Sequence, residues 1–118
     1  MTARALVLTS ALALPLIAAE PDPRPWRYSV AALTAASVAD AHSSWGHAER
    51  NPILAGADGR FGARGVAIKC GLVAAVVGVQ YIALRRWPRL GRRLAVINFS
   101  AAGATAGAAA RNYSMEVR

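Results

Sequence analysis

Cysteine, lysine, acidic side chains and aromatics are all scarce in this chain of 118 residues. The single cysteine, Cys70, excludes an internal disulfide, and its apolar neighbours read it as a small packing residue. Six Asp and Glu stand against fourteen Lys and Arg, thirteen of them Arg, so the formal net charge is +8. Aromatics make up 7% of a composition that is 55% hydrophobic, and alanine supplies much of the rest. Nucleophile elbow, phosphate loop, CxxC pair and zincin motif are all missing, so the sequence points to no reaction class. No catalytic residue, cofactor or metal is therefore assigned, and the expected protein is not an enzyme.

What is present is clustering. At this length there is room for one domain. Apolar residues fall in four blocks, near 5–19, 28–46, 65–84 and 94–110, with most charges between them. That is the layout of membrane spans joined by polar loops. The expected fold is all-α: a small bundle of three transmembrane helices, about 28–46, 64–84 and 94–110, in one membrane domain over 28–112. A signal peptide or signal-anchor helix at 1–19 and a Pro-rich linker at 20–27 precede it, and a tail at 113–118 follows.

The first block spans roughly 22 Å as a helix, short of a bilayer core of about 30 Å. Pro15 interrupts it, and Ile17-Ala18-Ala19 offers the small residue that signal peptidase requires. Cleavage after Ala19 is the reading taken, with an uncleaved anchor as its rival. The prolines at 21, 23 and 25 read as extended, non-helical chain.

Each later block has aromatic residues near its ends: Trp26, Tyr28 and Trp45 on the first, Tyr81 and Trp87 on the second, Tyr113 after the third. Such rings favour the headgroup level. Asn51-Pro52 stops a helix, Gly56-Ala57-Asp58-Gly59 is turn chemistry, and the connection at 85–93 carries five arginines. Those five belong in the cytoplasm by the positive-inside bias. Yet Lys and Arg split seven and seven between alternating sides if the first block spans, and a cleaved signal places the five-arginine loop outside. Orientation stays open on the sequence alone. Membrane lipid is the expected partner, with a homo-oligomer or another membrane protein as a further partner. Nucleic acid is not expected, because the arginines are scattered over every loop.

Two sets of residues stand out inside the blocks. Gly103 and Gly107 form G-x3-G amid alanine, and Gly71 and Gly78 lie seven apart on one face. Small residues at such spacings let helices approach closely, here against the chain's own helices or, as the alternative, in a dimer. The polar set is Asp40, Ser44, His47, Glu49, Asn51 and Lys69. Ser37, Asp40, Ser44 and His47 are spaced 3, 4 and 3, as one helical stripe. A carboxylate in a span costs about 2.5–3.5 kcal/mol near the bilayer centre. Asp40 therefore needs a partner, and Lys69 lies at a similar depth if the two blocks form an antiparallel hairpin. Gln80 and Asn98 are expected to hydrogen-bond between helices. His42 and His47, five apart, splay on a regular helix and make a poor metal pair.

The stretch from Asp40 to Pro52, D-A-H-S-S-W-G-H-A-E-R-N-P, followed by Lys69 in the next helix, resembles a family of small bacterial membrane proteins of unknown function. The matching positions are Asp40, Ser44, Gly46, Glu49, Asn51, Pro52 and Lys69, within a resemblance covering roughly residues 35–112. Ser43 and Ser44 stand where threonine is frequent in that pattern. The resemblance implies a three- or four-helix membrane architecture and no reaction. The functional expectation is a structural or partner-binding protein, multi-pass in a bacterial inner membrane. The alternatives are a small transport or proton-handling component using Asp40 and Lys69, and an exported soluble helical bundle.

Overall fold

The computed structural model describes residues 21–116, with side chains through Met115. The expected signal segment at 1–19 lies outside the described residues. The described residues form an all-helical fold: α1 spans Arg24–Ser44, α2 Ala63–Arg86 and α3 Gly91–Glu116, with a 3-10 turn at Pro88–Leu90.

Helix α1 begins inside the segment expected to be extended linker. Pro23 takes the cap position and Pro25 falls in the first turn, where a missing N–H costs nothing. The Asp22 carboxylate accepts the Arg24 N–H at 3.0 Å, satisfying one of the free amides at the helix start. Proline run and helix start are thus compatible. The expected tail is also partly helical, because nothing between Tyr113 and Glu116 breaks α3. Helix α2 ends where Pro88 forces Trp87 out of the helical region, to φ −131° and ψ 75°.

Helices α1 and α3 pack along their length. Ser29–Asn98 at one end and Ser43–Asn112 at the other both join residues 69 apart, so the helices run parallel in constant register. Their facing residues are Ser29, Leu33, Ala36, Asp40 and Ser43 on α1 and Ala95, Asn98, Ala102, Thr105, Ala109 and Asn112 on α3. Spacings alternate between three and four, the heptad seam of a coiled coil, built mostly from small side chains. Leu33, Ala36 and Ala102 form its apolar centre. Helix α2 runs antiparallel to both and is tied to α1 near its two ends, through Asp40–Lys69 and Trp26–Gln80.

Only α2 is long and apolar enough, by length and composition, to cross a membrane among the described residues. The expectation of three such helices reduces to one on this measure. The reason is composition: α1 carries two arginines, Asp40 and four serines, and α3 opens on Arg92-Arg93 and is diluted by alanine, glycine and asparagine. Just 6% of the most apolar stretch of α2 is buried, so it is no core helix; Leu72, Val76, Val79 and Ile82 point away from the other helices.

Candidate functional site

Asp40 sits on the inner seam of α1, one turn after Ala36, and Lys69 lies in the second turn of α2. Lys69 Nζ donates to Asp40 Oδ2 at 2.5 Å. The two side chains are 29% and 13% exposed respectively, so each charge has lost most of its water and the partner compensates.

The pair rests on an aromatic floor that sequence reasoning missed. The Phe61 ring is 1% exposed and lies 5.1 Å from Lys69 Nζ, within cation–π range. It fits there because Gly65 has no side chain. A Cβ on Gly65 would stand 2.3 Å from the ring. Phe61, Gly65 and Lys69 are spaced four apart, a signal available in the sequence but concealed by the loop before α2.

The loop at 45–62 is held by its own backbone. Gly46 N–H donates to Phe61 O at 2.8 Å, Phe61 N–H to His47 O at 2.9 Å and Glu49 N–H to Gly59 O at 3.0 Å. Gly46 and Gly59 have φ of +79° and +72°, the left-handed region that favours glycine. Glu49 accepts the Asn51 N–H and Asn51 Oδ1 accepts the Ile53 N–H, both at 3.0 Å, forming the turn around Pro52. Arg60 and Arg64 donate to the carbonyls of Gly46 and Ile53.

The expected polar set therefore separates into groups. Asp40 and Lys69 meet. Glu49 and Asn51 meet, but as turn builders. Ser44 accepts from Asn112, which also reaches Ser43, and neighbouring His42 pairs through Nδ1 with the Tyr113 hydroxyl at 2.7 Å. His47 does not continue the α1 stripe, because the helix ends at Ser44 and His47 belongs to the loop. A second cluster near the opposite end joins all three helices: Trp26 Nε1 donates to Gln80, Gln80 and Asn98 exchange two amide hydrogen bonds at 2.8 Å each, and Asn98 reaches Ser29.

The chain matches no family model, no curated protein and no solved structure. The site must be read from its geometry.

Beside the Asp40–Lys69 pair, α1 and α2 part to leave a cleft of about 550 Å³. Val30, Val38, Val73 and Val77 make it apolar, and Ser37, His42 and Lys69 supply polar atoms. Cys70 also lines it and is exposed, rather than packed inside the bundle. Gly71, Gly78, Gly103 and Gly107 differ from expectation in the same way. Among the described residues nothing lies within 4 Å of an added Cβ at any of them, so they serve no contact between α1, α2 and α3. Small residues do line the α1–α3 seam, but they are alanines and serines.

Proposed function

We propose that this chain is a non-enzymatic, multi-pass protein of a bacterial inner membrane with a structural or partner-binding role. All three helices cross, α1 and α3 as companions of α2. The observation that carries this reading is the division of side chains: Leu72, Val76, Val79 and Ile82 on α2 point outward, while Ser29, Asp40, Lys69, Gln80 and Asn98 from the three helices point inward and satisfy one another. Among the described residues every buried side-chain polar atom has a partner. Lipid demands that arrangement and water does not. The helices are about 32, 36 and 39 Å long at 1.5 Å per residue, enough for a core of about 30 Å. A soluble bundle needs its apolar blocks covered, and α2 is uncovered. The resemblance of Asp40–Pro52 and Lys69 to the small bacterial membrane family agrees with this reading. Membrane fractionation tests it: the protein is expected to stay with membranes through alkaline carbonate, and full extraction would overturn the proposal.

A second reading, proton handling or small-solute transport, draws support from the cleft beside Asp40 and Lys69. Asp40→Asn and Lys69→Met, singly and together, separate the two. A structural pair predicts that each single change destabilises by about 3–5 kcal/mol and that the double variant regains stability and cellular function. A relay predicts regained stability with function still lost.

A further inference from the structure

We infer that the end of the bundle carrying Arg24, Arg27, Arg85, Arg86, Arg89, Arg92 and Arg93 is a docking surface for the anionic phospholipid headgroups of one leaflet, an inference that rests on the membrane reading above. The sequence distributes these residues over three segments and the fold brings the segments together. Trp26 reaches Gln80, and a Cβ on Gly91 would lie 3.7 Å from the Leu84 side chain and 4.0 Å from Asp22 O. The start of α1, the end of α2 and the start of α3 thus share one end, and all seven guanidinium-bearing residues there are exposed.

Among the described residues one carboxylate, Asp22, lies at this end, and it is already engaged. Arg24 binds it at 3.0 Å, and hydrogen bonds from the Arg24 side chain and backbone hold the carboxyl below its ordinary value of 3.8. Helix electrostatics does not account for Arg27, Arg92 and Arg93. Arg24, Arg27, Arg92 and Arg93 occupy the first turns of α1 and α3, where the helix dipole repels cations, and neither first turn holds an acid. Arg85 and Arg86 close α2 and Arg89 lies in the last turn of the 3-10 helix, ends that favour cations. An outside anion offsets the repulsion at the two helix starts.

The opposite end is different. There, among the described residues, Arg50, Arg60, Arg64 and Arg111 are accompanied by Glu49, Asp58 and the α3-terminal Glu116, and Arg60 and Arg64 bind loop carbonyls. Guanidinium groups match phosphate oxygens in paired hydrogen bonds. Exposed Tyr28 and Trp87 are interleaved with the seven arginines, and Arg86 lies 5.7 Å from the Trp87 ring. A wide surface of guanidinium and aromatic groups at a helix-bundle end fits a layer of headgroups better than one small anion.

The test uses the full chain with Trp45→Phe, so that Trp26 and Trp87 report this end by fluorescence. Quenching is compared between vesicles of brominated phosphatidylcholine and of brominated phosphatidylglycerol. A preference of about tenfold for phosphatidylglycerol is expected, shrinking at high salt. Arg85→Gln, Arg92→Gln and Arg93→Gln together should abolish it, the single changes should lower it stepwise, and Arg50→Gln with Arg111→Gln should leave it intact. Equal quenching by both lipids, or a preference that survives the triple change, overturns the inference. So does loss of the preference on adding inorganic phosphate or a short RNA, either of which would then be the better ligand. Quenching by neither lipid overturns the membrane reading as well, which keeps the two failures distinguishable.

Discussion

An added methyl group at Gly65 would meet the Phe61 ring at 2.3 Å and the Leu54 carbonyl at 3.0 Å. The ring has no room to retreat, being almost wholly buried under the Lys69 ammonium. Gly65→Ala is therefore expected to displace Phe61 and destabilise the detergent-solubilised protein by about 1–3 kcal/mol. Gly62→Ala is the control: it has open space at Cβ and an extended φ of −155°. Equal unfolding midpoints for the two variants would refute the packing described. The Asp40–Lys69 pairing was legible in the sequence because an isolated carboxylate in an apolar helix demands a cation, and depth from the loop identified one. Phe61 and Gly65 were not, because their role depends on the path of an eighteen-residue loop held largely by long-range backbone hydrogen bonds, which leave little trace in the side-chain pattern.

At the scale of elements, two adjacent residues on α3 should respond in opposite senses. Ala102 faces Leu33 and Ala36 across the parallel seam, and Gly103 faces outward. Ala102→Leu should force the helices apart and destabilise by about 1–3 kcal/mol. Gly103→Ala should stabilise a monomer by up to about 1 kcal/mol, through helix propensity alone. Thermal unfolding of both variants at low protein concentration checks this. A Gly103→Ala variant that instead loses stability in step with an oligomer would assign the outward G-x3-G face to a second copy. Here the sequence was a poor guide for a physical reason. Contrast between apolar and polar residues locates a helix face, and a run of alanine, glycine and serine has little contrast. The seam spacing of 95, 98, 102, 105, 109 and 112 is present in α3 but does not stand out. The start of α1 was misplaced for the opposite reason, since proline signals a break strongly and Pro25 proves to be a first-turn residue.

For the molecule as a whole, orientation follows from charge once distance is known. The even tally of Lys and Arg weighs Lys69, which is paired inside the bundle, the same as a surface arginine, and it ignores acids. With positions in hand, among the described residues seven arginines and Asp22 gather at one end, against four arginines with Glu49, Asp58 and the α3-terminal Glu116 at the other. On the membrane reading proposed above, the positive-inside bias would then place the seven in the cytoplasm and the loop at 45–62 and the end of α3 on the far side. In a Cys70→Ser background, cysteine at Asp58 or Ser114 should react with a membrane-impermeant maleimide in intact cells, and cysteine at Arg89 only after lysis. The reverse pattern would overturn this orientation and, with it, the leaflet assigned to the arginine-rich end. The same labelling bears on residues 1–19. Cleavage after Ala19 would deliver Arg24 and Arg27 to the outside, so external labelling at Asp58 favours an uncleaved first segment over a removed signal peptide.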